Sequence, residues 1–110
     1  MVTSNPYHAV VVEFTLKPGV SRTDAKELLV QNATISFENE PECYRFDVVE
    51  IYKGDVHFLL YEIYSDENAF SKHLKTKHYQ KFDAVSKQFF ERKRIRLGGL
   101  VSGTPDPWES

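Results

Sequence analysis

The sequence is poor in cysteine, methionine and tryptophan, with one of each among 110 residues. The single thiol, Cys43, allows no internal disulfide framework and suits a reducing compartment. Charge of one sign is lacking as well. Lys+Arg 14 against Asp+Glu 16 leave a net charge of -2, so no basic footprint for nucleic acid or an anionic membrane exists at whole-chain level. Long apolar runs are missing. The longest aliphatic stretch is Ala9 to Val12, against the roughly 20 residues of a membrane span. The opening residues MVTSNPYH hold no Lys or Arg and lead into no apolar segment, which argues against a secretory signal. The expected location is the cytoplasm. No Gly-rich phosphate loop, nucleophile elbow or dinucleotide fingerprint occurs.

What the chain has in quantity is aromatic side chains, eight Phe and six Tyr. In a domain this small they fill a core, line a pocket for a flat ligand, or bury a dimer face. Hydrophobic residues at 41% and charged residues at 27% are those of one ordinary globular domain.

Apolar periodicity orders the elements. Tyr7 to Lys17 alternates, with His8, Val10, Val12, Phe14 and Leu16 against Ala9, Val11, Glu13 and Thr15. That spacing is a strand with two partly apolar faces, ended by Pro18-Gly19. Ser21-x-x-Asp24 has the shape of a capping box and opens a helix to about Glu38, before Pro41. Its inner face carries Ala25, Leu28, Leu29, Asn32 and Ser36. Glu42 to Tyr52 and Val56 to Tyr64 alternate around Lys53-Gly54-Asp55 and predict an antiparallel hairpin, with Tyr44, Phe46 and Val48 on one side. Asp66 caps a helix whose inner face is Ala69, Phe70, His73 and Leu74. Thr76 caps a longer one carrying Tyr79, Phe82, Val85 and Phe89. Lys93 to Val101 is a last strand, with Gly98-Gly99 a bulge or close backbone approach. The order β-α-β-β-α-β is the α+β ferredoxin-like unit, with an antiparallel sheet and helices on one face. It spans residues 1–101, followed by an irregular tail, 102–110. The uncovered sheet face predicts an isologous homodimer packed sheet on sheet.

Several polar residues sit where the pattern expects apolar ones. Asn32 lies among Leu28, Leu29 and Ile35. It bonds a neighbouring backbone group, sits at a helix kink, or serves as a pocket amide, because a buried amide needs partners. His73 shares a face with Phe70 and Leu74, as a packed core histidine or as a catalyst. Glu62 and Tyr64 share a strand face with Phe58 and Leu60. A carboxyl there either finds a cationic partner or has its pKa raised by desolvation, which makes a base near neutral pH. His78 follows His73 by five residues across a helix break, unlike the i, i+4 spacing of a metal pair, so no metal is expected. Arg92-Lys93-Arg94-Ile95-Arg96 is expected to be a solvated strand face or a rim that pairs with acidic neighbours, and Cys43 a packing residue.

Three segments carry a resemblance: Gln31-Asn32-Ala33 with Glu40-Pro41-Glu42-Cys43-Tyr44-Arg45-Phe46-Asp47-Val48; Leu60 to Phe70; and His73-Leu74-Lys75-Thr76-Lys77-His78-Tyr79. Together, over about residues 7 to 101, they resemble the antibiotic biosynthesis monooxygenase family of small quinol monooxygenases. The resemblance implies a dimeric α/β barrel of ferredoxin-like domains and a site without cofactor between sheet and helices. It implies His73, Asn32, Glu62 and Tyr64 as catalytic candidates and Phe46, Phe70 and His78 as substrate-binding ones. The implied reaction is monooxygenation of a small electron-rich aromatic, of hydroquinone or anthrone type, by molecular oxygen. No nucleic-acid or membrane partner is implied. Two alternatives are a small hydroxy-carbonyl isomerase related to the phosphorylated-autoinducer isomerase, and a non-enzymatic small-ligand module. The isomerase carries a His where Ala33 stands here.

Overall fold

A computed structural model describes residues 7–103; positions 1–6 and 104–110, which include most of the expected tail, lie outside the described residues. The chain runs β1 (His8–Leu16), α1 (Arg22–Asn39), β2 (Cys43–Glu50), β3 (Phe58–Tyr64), α2 (Glu67–Leu74), α3 (Lys77–Ser86) and β4 (Phe90–Gly99). One antiparallel sheet has the strand order β2-β3-β1-β4. This is the expected ferredoxin-like arrangement, with the second helix divided in two.

The expected caps are made. Ser21 Oγ accepts from the Asp24 amide, Asp66 Oδ1 from Ala69, and Thr76 Oγ1 from Tyr79. Each satisfies a backbone donor that the first helical turn leaves orphaned, typically worth about 1 kcal/mol. Gly19 and Gly54, at φ +82° and +99°, take turn conformations that a side chain would strain.

His8, Val10, Val12 and Phe14 of β1 stand on the helix-facing side with Tyr64, Glu62, Leu60 and Phe58 of β3, their register partners. Ala25 and Leu29 of α1, Phe70 of α2 and Phe82 of α3 close over them, all buried. Each large apolar side chain so buried contributes about 1.5–3 kcal/mol. The other face presents Ala9, Val11 and Glu13 of β1 beside Ile63, Tyr61 and Leu59 of β3. Val11, Leu59 and Tyr61 there are half-buried, and Val49 of β2 is exposed.

Four local expectations are corrected. Phe89 lies beyond α3, because that helix stops at Ser86. Cys43, not Tyr44, takes the inner place opposite Tyr64. A register shift between Cys43 and Arg45 turns Tyr44 aside, where it meets Tyr7 edge-on at 5.3 Å. Leu74 is 37% exposed rather than fully inward. A Cβ at Gly98 would meet nothing within 4 Å, so no close approach demands glycine there. The irregularity between β1 and β4 falls at Thr15/Leu16 instead.

Candidate active site

The site forms where the end of α1, the strand β3 and the α2–α3 junction meet. Glu62 projects from β3 toward the helices and is 3% exposed. The Tyr64 hydroxyl donates to its Oε1 at 2.6 Å. Burial pushes the Glu62 carboxyl up to about 7; the Tyr64 hydrogen bond and the charges of His73 and Lys93 act against that rise. Burial and the neighbouring Glu62 also raise the Tyr64 phenol, so it stays a neutral donor at any ordinary pH. Its hydroxyl is committed to Glu62 and the side chain is fully buried.

His73, in the last turn of α2, is 2% exposed. Its Nδ1 lies 2.8 Å from Glu40 Oε2 and 3.0 Å from Oε1. His78, in the first turn of α3, places Nε2 2.6 Å from the same Oε2. One carboxylate at the C-cap of α1 therefore ties two helix ends together. Burial works against the charge of Glu40, but its hydrogen bonds and charge interactions with both histidines prevail and hold it below its ordinary value. The α2–α3 break makes the convergence possible. Thr76 caps α3 while its hydroxyl donates to the His73 carbonyl, which ends α2.

A small cavity of about 20 Å³ lies between sheet and helices. Glu62, His73, Asn32, Phe46, Phe70 and Lys93 are among its lining residues. It admits a molecule the size of water. His73 Nε2 carries no protein hydrogen bond among the described residues, and the ring stacks against Phe70 at 6.0 Å. Asn32 is 4% exposed and its Oδ1 is buried without a partner. Backbone satisfaction of that atom is thereby ruled out in this conformation. A wider recess of about 260 Å³ adjoins on the α1–α3 side. It shares Asn32 and Phe82 with the inner cavity and includes His78.

Six of the seven expected site residues thus line one or other of these spaces, and Tyr64 stands behind Glu62. Three residues were not singled out by their pattern. Glu40 is in sequence only an acidic residue before Pro41. Tyr79 reads as core, and Lys93 as part of a solvated basic run. The structure divides that run. Lys93 faces inward, its Nζ donating to the Tyr79 hydroxyl at 2.8 Å and lying 3.4 Å from Asp83, while Arg92, Arg94 and Arg96 are exposed. The spacing argument about a metal weighs the two histidines alone, without Glu40. Ligand atoms of Glu40, His73 and His78 all lie within 4.8 Å of one another. Cys43 is a packing residue as expected, its thiol pushed up to about 12 chiefly by burial.

Residues 7–85 match the family model described as antibiotic biosynthesis monooxygenase. The chain belongs to that family. No curated protein sequence matches it. Among solved structures it is similar to a candidate antibiotic biosynthesis monooxygenase from Nitrosomonas europaea, at 22% identity and TM-score 0.80, over 92% of this chain and 96% of that one. A second candidate monooxygenase, from Caulobacter crescentus, aligns at 16% identity and TM-score 0.80 over 89% and 92%. A variant of SnoaB, a cofactor-independent oxygenase from Streptomyces nogalater, aligns at 14% identity and TM-score 0.77 over 92% and 99%. At these identities the structural likenesses speak for the fold. Among the described residues no helix is long and apolar enough to cross a membrane.

Proposed function

We propose that the protein is a cofactor-independent monooxygenase acting on a small electron-rich aromatic of hydroquinone or anthrone type. One observation carries this reading: an imidazole backed by a carboxylate, and a buried carboxyl held from behind by a phenol, border the same aromatic-lined cavity. Glu40 accepts the Nδ1 proton of His73, which leaves the Nε2 lone pair toward the cavity. Nε2 takes a hydroxyl or acidic C–H proton from the substrate. The resulting anion is electron-rich enough to reduce dioxygen itself. One oxygen atom enters the organic product, and the other leaves as water with two hydrogens from the substrate.

Asn32 supports this role because its amide is held in the cavity wall with an orphaned oxygen, ready for a substrate donor. Glu62, poised near neutrality, exchanges a proton with intermediates, and Tyr64 holds it in place. Phe46 and Phe70 flank the ring and exclude water, which strengthens every polar contact inside. The cavity between sheet and helices is far below the roughly 300–1,000 Å³ of ordinary ligand sites. The wider recess, which shares Asn32 and Phe82 with it, supplies the additional room in this reading.

The inward Lys93 favours a second reading, a proton-moving isomerase of a phosphorylated hydroxy-carbonyl compound. Asp83 partly offsets its charge, and the walls are chiefly aromatic and aliphatic, so the first reading stands ahead. The deciding experiment is oxygen uptake over a panel of quinols and anthrones, with anaerobic controls and chelator present. Uptake matched by product hydroxylation or ketone formation supports the oxygenase. Turnover of a hydroxy-carbonyl substrate without oxygen consumption replaces it with the isomerase. Binding without turnover of either class leaves a ligand-binding module.

The protein acts as a homodimer in this reading. Val11, Leu59 and Tyr61 form an apolar centre, and the same face carries Glu13 and Asp47 with Arg45 and Arg94. A patch that carries both charge signs around an apolar centre can pair with its own twofold copy.

A further inference from the structure

We propose that Glu40, His73 and His78 form a binding site for one divalent transition ion of the zinc–cobalt class. Two imidazole nitrogens and a carboxylate oxygen are a ligand set that these ions prefer, whereas calcium and magnesium favour oxygen alone. The three donors come from three separate elements: the C-cap of α1, the last turn of α2 and the first turn of α3. Glu40 Oε2 is already shared between His73 Nδ1 at 2.8 Å and His78 Nε2 at 2.6 Å, and all three donor atoms fall within 4.8 Å. Bonds of about 2.0–2.1 Å to a tetrahedral ion set its donors about 3.3 Å apart. The carboxylate therefore has to withdraw by about half an ångström, and the two imidazole nitrogens, now within 4.8 Å of each other, have to settle at the same spacing. Three protein donors leave a fourth position for water, the pattern of reactive rather than structural zinc sites.

The ion takes the place of the two N–H protons that now point at Glu40. Each neutral imidazole then carries its proton on the other ring nitrogen. For His73 that nitrogen is Nε2, which turns from an acceptor into a donor toward the cavity. Occupancy would thus silence the base. That consequence rests on the oxygenase reading, whereas the binding itself does not.

Binding is tested without any activity measurement. The full chain, stripped by chelator, is titrated with Co2+, and the visible d–d absorption of the tetrahedral ion is followed. One ion per chain with a micromolar or tighter Kd is expected. His78→Ala and Glu40→Gln should each weaken binding at least about 10-fold, and Zn2+ should displace the cobalt. Zinc at about 100 times its Kd should also raise the melting temperature of the parent chain and not of His78→Ala. His78 is partly exposed in a first helical turn, so its Ala variant folds, and the far-ultraviolet circular dichroism spectrum checks that it does. No tetrahedral cobalt band with no zinc-dependent stabilisation overturns the site. So does binding that both variants leave unchanged, since the ion would then sit elsewhere.

Discussion

Replacing Glu62 by Gln should stabilise the protein, and only at the alkaline end of its range. Glu62 is buried beneath α2 and its carboxyl is pushed up to about 7 from an ordinary 4.5. That rise means that holding the side chain charged inside the fold costs about 3 kcal/mol relative to the unfolded chain. Below pH 4.5 both states carry the proton and no penalty arises. Between 4.5 and 7 the unfolded chain releases the proton while the folded one keeps it, so stability falls as pH rises. Above 7 the folded state is charged too and the full penalty persists. Gln is neutral throughout, close in shape, and its Oε1 still accepts the Tyr64 hydroxyl bond. The variant should therefore gain less than about 1 kcal/mol at pH 5 and about 3 kcal/mol at pH 8.5. In a domain of this size that is about 10 °C in Tm at the higher pH. Urea titrations of both proteins at the two pH values measure it, because the other carboxylates titrate alike in each and cancel. A stability difference that stays the same from pH 5 to 8.5 would show that Glu62 titrates normally. The argument that burial has tuned it would then be wrong.

His73→Ala should slow turnover by about 100-fold or more, the scale of a lost general base, while lost packing takes about 1–3 kcal/mol; wild-type rates with a lowered Tm would return it to the status of a core histidine. Recovery of activity in His73→Gln would assign it hydrogen bonding rather than proton transfer. Asn32→Leu should lose activity yet keep or raise stability by about 1 kcal/mol, because the orphaned Oδ1 pays a desolvation penalty with no bond in return; a fall in Tm would mean that the amide has a structural partner. Leu29→Ala, at a fully buried position, should cost about 2–5 kcal/mol by chemical denaturation. Tyr61→Glu should dissociate the dimer without unfolding it, and sedimentation should then give 12.8 kDa; a parent chain that already sediments at that mass rejects the dimer.

Much of the fold was legible because its signals are local. The period-two valines of β1 specify a strand, and Ser21, Asp66 and Thr76 mark helix starts through bonds that span three residues. The inward polar residues Asn32, Glu62 and His73 were conspicuous as breaks in an apolar pattern. Glu40 was not, since an acidic residue before Pro41 is ordinary at a helix end. Its histidine partners lie 33 and 38 residues away, a pairing that only the α2–α3 break brings about. Spacing along the chain shows only two histidines for the same reason: the carboxylate between them is remote in sequence. Tyr44 and Cys43 exchanged places because a one-residue register shift resets the alternation, and nothing in the residues themselves announces it. Lys93 was hidden within a run of arginines whose side chains alternate to the opposite face.

The two-sided sheet has an evolutionary consequence. In β3, Leu60, Glu62 and Tyr64 look toward the helices, while Leu59, Tyr61 and Ile63 look the other way. In the proposed reading, a substitution at Glu62 therefore alters the site, and one at Leu59 or Tyr61 alters the opposite face, while Leu60, Ile63 and Tyr64 are held by burial. Insertions and deletions have no such freedom. Losing one residue within β3 would turn its remaining side chains to the wrong face, withdrawing the carboxyl and exposing a core leucine in a single event. Descendants of this domain should diversify residue by residue within the strand and change length only in the turns at its ends.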